Sequence, residues 1–267
     1  MNIAIITGAS SGMGKEFALQ MDDHFHKIDE FWLIARREEE LNELASQLKH
    51  QSRVFAMDIT KPGQLKRLEH HARIEQAKIC IFVQCAGYGM MGPFENASLK
   101  DSLGMIHLNC EALTSLTKRM IPFLAKNARI IMLASSAAFL PQEDFAVYAA
   151  SKSYVLSFSR ALARELRPQK IFVTAVCPGP VDTPFFDIAE RNGTTLAIKK
   201  YVMAKPKAVV AKSLKDSYFK KELSVYGFAM NAFLLGTKLL PHSFFLFAES
   251  KLKNSDDKSA AERTNET

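Results

Sequence analysis

The first fourteen residues constrain this chain more than any other stretch. Asn2–Thr7 is an apolar run too short for a helix, so it reads as a buried strand. It runs into Thr7-Gly8-Ala9-Ser10-Ser11-Gly12-Met13-Gly14, and a helical stretch follows from about Gly12 to Met21. Three glycines between a strand and a helix make a turn whose backbone N–H groups approach an anion closely. The helix then aims the positive end of its dipole at that anion. Gly8, Ser10, Ser11, Gly12, Met13 and Gly14 are therefore the expected phosphate cradle. The glycine spacing is not G-x-G-x-x-G, yet its place between strand and helix points to a dinucleotide.

The rest of the chain continues the alternation. Strands are expected at Phe31–Ala35, Val54–Met57, Ile79–Val83, Arg129–Ala134 and Ile171–Val176, with a short one at Leu223–Tyr226. Helices are expected at Glu38–Lys49, from Lys61-Pro62 onward, and at Ser98–Ala125, Asp144–Arg167, Phe185–Ala204 and Pro206–Lys221. Strands alternating with helices predict a single α/β domain on a doubly wound parallel sheet, and 267 residues suit one such domain. Residues 1–227 would form the dinucleotide-binding and catalytic domain, with a substrate loop at about 184–222. Residues 228–248 would be an apolar C-terminal helical extension and 249–267 a disordered polar tail. Phe228–Ala248 approaches membrane-span length, but Lys238, Pro241 and His242 interrupt it, so packing on the fold or touching a membrane is expected instead.

The candidate chemistry sits in Tyr148-Ala149-Ala150-Ser151-Lys152. On a helix, a spacing of four stacks Tyr148 and Lys152 on one face. A free tyrosine titrates near pH ~10, and a neighbouring ammonium is expected to lower that value and make a general acid/base. Arg36 and Arg37 follow the second strand directly, where a Rossmann unit that binds a ribose 2′-hydroxyl carries an acid. Ala35 stands there instead, and two arginines suit a 2′-phosphate. Asp58 ends the third strand, placed either to accept from an adenine amino group or to cap the next helix. Small residues at Ala86-Gly87 would let a ring or ribose lie on the backbone. Asn109 lies mid-helix and needs hydrogen-bond partners if buried. Ser135 ends the fifth strand, and Cys177-Pro178-Gly179-Pro180-Val181-Asp182-Thr183-Pro184 reads as a stiff loop at a cleft mouth.

Composition narrows the setting. Cys80, Cys85, Cys110 and Cys177 each lie in apolar runs with no zinc-ligand spacing, which suggests buried thiols, no metal and a reducing cytoplasmic setting. The N-terminus reads as a strand and not a signal peptide. The net charge of +7 thickens between Lys199 and Lys221, which a solvated helical face explains and an anionic partner would use. No nucleic-acid motif is present.

Taken in order, these motifs resemble the short-chain dehydrogenase/reductases over roughly residues 1–205. The matching pieces are Thr7-Gly8…Gly12…Gly14, Asp58, Ala86-Gly87, Asn109, Ser135, Tyr148, Lys152 and Pro178-Gly179. The resemblance implies a Rossmann-type fold and hydride transfer by NADP(H). It implies that Tyr148 donates the proton, Lys152 lowers its pKa and binds ribose, Ser135 binds the substrate oxygen, and Asn109 supports a water-linked relay to Lys152. Val181 and Thr183 would meet the nicotinamide. Where the family often has Asn-Asn-Ala-Gly, this chain has Gln84-Cys85-Ala86-Gly87, which puts local loop support in question. The expected substrate is a bulky apolar ketone or alcohol, hydroxysteroid or bile-acid-like first and 3-oxoacyl second, flanked by Phe139, Phe145, Phe185 and Phe186. A non-catalytic NADP-binding redox sensor is the rival reading. A homodimer or homotetramer and peripheral membrane contact are also expected.

Overall fold

In the computed structural model, residues 1–191 and 203–241 are described, together with Ser243 and Phe245. Strands β1 (Asn2–Thr7), β2 (Glu30–Ala35), β3 (Gln51–Ala56), β4 (Lys78–Gln84), β5 (Leu124–Leu133), β6 (Phe172–Val176) and β7 (Leu223–Ser224) form one sheet in the order β3-β2-β1-β4-β5-β6-β7. Every pairing is parallel. Ile3, Ala4, Ile5 and Ile6 are all buried, so β1 has apolar layers on both faces and reads as an unbroken hydrophobic run. One layer gathers Ile3, Ile5, Trp32, Phe82, Leu116 and Val155; the other gathers Ala4, Ile6, Phe17, Met21, Leu33 and Leu44. Chain order reverses between β1 and β4, and the crevice beyond their C-terminal ends is where such sheets take ligands.

The helices are α1 (Gly12–His24), α2 (Glu38–Gln47), α3 (Pro62–Ile74), α4 (Leu99–Ile106), α5 (Leu113–Met120), α6 (Ala146–Leu166), α7 (Phe185–Ala189), α8 (Pro206–Tyr218) and α9 (Phe228–Leu239). Three expectations change. The single helix expected over Ser98–Ala125 is α4, a π-helical segment at His107–Ala112, and α5. Pro122, with no N–H to continue the ladder, stands in a 3₁₀ turn at Ile121–Phe123, and β5 begins at Leu124. The helix expected over Phe185–Ala204 is only α7; Ala204 pairs with Val181 in a parallel bridge, and residues 192–202 lie outside the described residues.

The third change concerns the expected substrate loop at 184–222. Its C-terminal half is α8, whose Val209, Val210 and Leu214 pack with Phe17, Ala18 and Met21 of α1. Gln20 of α1 donates from Nε2 to the Lys207 carbonyl at 2.8 Å. This half is framework, and among the described residues of that segment α7 is the helix beside the crevice. In the apolar extension, residues 228–239 form α9 on the main core through Met230, Phe233 and Leu234. The tail expected at 249–267 lies outside the described residues. All four cysteines are free, but only Cys177 is fully buried as a residue.

Candidate active site

Gly8 and Gly14 shape the turn at the tip of β1. Gly8 sits at φ +67°, and a Cβ there would come within 2.8 Å of the Ala86 nitrogen; one on Gly14 would meet the Gly8 oxygen at 2.2 Å. The turn is closed on itself and against the end of β4 in a way only glycine permits. Thr7 completes it by accepting from the Ala86 N–H at 3.2 Å. Ser11 heads α1 without a side-chain cap, and no acid lies in that helix's first turn, so its leading N–H groups and positive dipole end are free for an anion. Met13 contributes backbone only, because its side chain is in the core.

The arginines lie alongside. Arg37 Nη2 donates to Ser10 Oγ at 3.0 Å, and its Nη1 pairs with Glu40 at 3.1 Å. Arg36 acts on Asp58: burial opposes ionisation of that carboxyl, but hydrogen bonds from Thr60 and the Arg36 and Lys61 charges outweigh it and hold its pKa below the usual range. Asp58 Oδ1 is the capping atom, accepting from Thr60 N at 2.9 Å and Thr60 Oγ1 at 2.7 Å. A closed glycine turn, uncapped helical N–H groups and two arginines fit a phosphorylated dinucleotide. A carboxylate that would repel a 2′-phosphate is absent from the tip of β2, where Ala35 stands.

Tyr148 and Lys152 lie one turn apart on α6, both buried, with Lys152 Nζ 5.7 Å from the centre of the Tyr148 ring. Lys152 Nζ donates to the Leu133 carbonyl at the end of β5 at 2.8 Å. Ser135 hydrogen-bonds Tyr148. The Ser136 N–H donates to the Pro178 carbonyl at 2.8 Å, which ties the Pro178-Gly179 loop to the Ser135 segment. Burial pushes the Tyr148 phenol up to about 12, with the Ser135 bond working the other way and Cys177 reinforcing the rise. Burial likewise pulls Lys152 down to about 8. The expected lowering of the Tyr148 pKa is therefore corrected: desolvation of the phenolate outweighs the Ser135 bond that favours it.

Asn109 lies in the π-helical segment, fully bonded without water. Its Oδ1 accepts from the Tyr88 N–H at 3.2 Å, and its Nδ2 donates to the Tyr88 carbonyl at 2.9 Å and to Ser151 Oγ at 3.0 Å. A Cβ on Gly87 would sit 2.9 Å from Asn109 Oδ1 and 3.3 Å from Lys152 Nζ, so the bare backbone here lets both side chains reach the crevice. Gln84 answers the doubt over loop support: its Nε2 donates to Thr117 Oγ1 at 2.7 Å and ties β4 to α5. Thr183, Val181 and Gly179 follow β6; Val181 is in the core, and Gly179 lies against Met230 of α9.

The four aromatic residues separate. Phe145 stacks on Tyr148 with ring centres 4.2 Å apart, and Phe185 lies 5.4 Å away, in T-shaped contact with Phe186. Phe139 does not join them. The 3₁₀ turn at Ser136–Phe139 carries it into the main core opposite Phe233 of α9. Met91, Met105 and Ala189 complete the apolar surround of Tyr148. Sequence reading named Thr7 only as part of the turn motif and missed Tyr88 and Ser151. Ser151, three residues after Tyr148 on the same helical face, carried a readable signal; Tyr88 offers only its backbone and carried none.

A seven-stranded parallel sheet with this turn at β1 and a buried Tyr-Lys pair on α6 defines a Rossmann-type class. Residues 2–192 match the short chain dehydrogenase family model, and the chain belongs to that oxidoreductase family. An uncharacterized oxidoreductase of Staphylococcus epidermidis is 30% identical over 195 residues, covering 71% of this chain and 84% of that one. A very-long-chain 3-oxoacyl-CoA reductase of Pyrenophora tritici-repentis is 27% identical, covering 75% of this chain and 61% of that one. A short-chain dehydrogenase from Sphingobium yanoikuyae, solved with NADPH, superposes with TM-score 0.75 at 24% identity over 96% of both chains. One from Burkholderia phymatum, solved with NAD, gives 0.77 at 19% identity over 92% of this chain and 94% of that one.

Proposed function

We propose that this chain is an NADP(H)-dependent oxidoreductase interconverting a bulky apolar ketone and its secondary alcohol. The observation that carries the reading is Tyr148, buried beneath Phe145 and Phe185, hydrogen-bonded to Ser135 and one turn from Lys152. The Gly8–Gly14 turn, Arg36, Arg37 and the Ala86-Gly87 backbone would hold the cofactor, which when bound would supply the hydride. Ser135 and Tyr148 orient the substrate oxygen. Tyr148 gives it a proton from its hydroxyl, and the Lys152 ammonium stabilises the phenolate left behind. Asn109 holds the Tyr88 backbone and Ser151 in place beside them. Preference for NADP(H) rests on Arg37 over Ser10 and Arg36 beside Asp58.

On the substrate, a 3-oxoacyl chain gains ground over a fused ring. The groove next to the Tyr148 cluster is lined by Met90, Met91, Phe94, Met105 and Val147, with Asp101 and Asp144 also on its wall, and holds only about 50 Å³. Ligand sites for drug-sized molecules run to roughly 300 Å³ or more, so this groove would have to open for either candidate. Unbranched methionines give way to a flexible chain more readily than to a steroid nucleus, and the Pyrenophora relative's name agrees. The deciding experiment compares kcat/KM for long-chain 3-oxoacyl thioesters, keto-steroids and keto-bile acids with NADPH. Preference for the thioesters is expected; preference for a steroid would return it to first place. No turnover of any ketone, with NADPH still bound, would favour the redox sensor.

A further inference from the structure

Helix α9 is apolar on two faces. Met230, Phe233 and Leu234 pack on the main core. The opposite stripe, Phe228, Leu235 and Leu239, follows the helical repeat and faces solvent, with Phe228 90% and Leu239 72% exposed. An apolar stripe on the helix face turned away from the core is the kind of surface that a second apolar environment would cover. Leu240, next along the chain, is 44% exposed. Exposed apolar surface of this kind along one helix face marks an interaction site.

Its flank is basic. Between α6, α9 and the approach to β7 lies a cavity of about 360 Å³, away from Tyr148, whose lining includes Phe139, Leu234, Arg160, Lys220 and Lys238. Neither Arg160 nor Lys238 pairs with a carboxylate among the described residues, and Lys220 lies over the Phe172 ring at 4.7 Å. The acids nearby are already engaged. Glu222 pairs with Arg164 and Arg167, and Asp216 with Lys212 and Lys221. Helix α9 thus carries an exposed apolar stripe and, on its side toward α6, a cavity with three cations that no carboxylate pairs among the described residues. At 12 residues α9 is too short to cross a bilayer, and no helix among the described residues is long and apolar enough to do so.

We propose that the α9 face docks this protein on an anionic phospholipid bilayer. Phe228, Leu235 and Leu239 enter the interface, and Arg160, Lys220 and Lys238 contact headgroup phosphates. An in-plane helix with aromatic and aliphatic residues on one side and cations beside them is the physical form such docking takes. The proposal does not depend on which ketone the enzyme turns over.

The test is flotation of the full-length protein with phosphatidylcholine vesicles, with and without phosphatidylserine. Binding to the phosphatidylserine vesicles is expected, tighter than to phosphatidylcholine alone by about tenfold or more and weakened by salt. Phe228→Ser, Leu235→Ser and Leu239→Ser together should abolish it. Arg160→Gln, Lys220→Gln and Lys238→Gln together should weaken it on the order of a hundredfold, about fivefold per cation. Both triple variants should retain wild-type circular dichroism and NADPH turnover of a soluble ketone. No vesicle binding, or equal binding to both vesicle types, overturns the proposal. So does a wild-type dimer in sedimentation that the serine variant converts to monomer, because the face would then belong to a second copy of the chain.

Discussion

Replacing Asn109 with alanine tests how the crevice is held. The side chain is 1% exposed and makes three hydrogen bonds, two to the Tyr88 backbone and one to Ser151. Each contributes about 1 kcal/mol net, so their loss together costs roughly 3 kcal/mol, more if the Tyr88 groups find no water. That is a large share of the roughly 5–15 kcal/mol that keeps a domain folded. In a chain of this size it corresponds to a melting point lower by roughly 6–12 °C. The effect reaches the chemistry because Gly89, the next residue, lies against the Tyr148 ring, where an added Cβ would come within 2.7 Å. A loosened Tyr88-Gly89 backbone should lower kcat/KM for the best ketone about tenfold or more. Calorimetry and urea titration read the first effect and steady-state kinetics the second. Thr117→Val is the control. It removes the Gln84 and Leu113 bonds, both away from the crevice, should cost about 2 kcal/mol, and should leave kcat/KM alone. An Asn109→Ala variant that melts within 2 °C of wild type (against the roughly 6–12 °C worked above) would refute the reasoning, as would a kcat/KM loss matched by Thr117→Val.

Tyr148→Phe should keep NADPH affinity, read by fluorescence titration, and lose most of kcat; near-normal turnover would remove Tyr148 as the proton donor. Arg37→Ala should weaken discrimination between NADPH and NADH by roughly tenfold to a hundredfold, the range for a lost charge-assisted contact of ~1.5–3 kcal/mol; an unchanged kcat/KM ratio would contradict the phosphate assignment. With Lys152 pulled down to about 8 from 10.5, kcat/KM should fall as pH rises through about 8, and Lys152→Met should lack that limb. Because the folded-state value lies below the unfolded one, unfolding takes up a proton between those values. The lysine's contribution to stability should therefore rise with pH from about 8 to 10.5, as urea midpoints across that range would show.

The fold was legible because its signals are local. Each buried parallel strand is a short apolar run, and β1, β2, β4 and β6 lie within a residue or two of where those runs stand. What failed depended on partners far along the chain. The amphipathic pattern of α8 was read as part of a substrate loop, since nothing in residues 206–218 reveals that α1 waits to receive Val209 and Val210. The π-helical turn at Asn109 leaves no mark in the hydrophobic period. At the site, Tyr148 and Lys152 were legible because a spacing of four fixes their shared face. Phe139 was misplaced because a 3₁₀ turn rotates it away from the residue four positions before it. The three bonds of Asn109 run largely to backbone atoms, which any residue at position 88 would supply.

The reversed sign of the Tyr148 shift has the same origin, and it bears on direction. The sequence shows the lysine that would favour a phenolate, but not the burial that opposes one, because burial comes from Phe145 and Phe185 packing on the ring. With the phenol at about 12 and the ammonium at about 8, both hold their protons at neutral pH. That is the resting state carbonyl reduction requires: a neutral acid facing the oxygen, with a cation one turn below to receive the charge the acid leaves. Alcohol oxidation starts from the opposite state and must first form a phenolate in a site built against it. The rings that shield Tyr148 from water thus do two things at once. They offer an apolar surface beside the phenol, and by disfavouring the phenolate they favour the protonated form that the proposed reduction would start from.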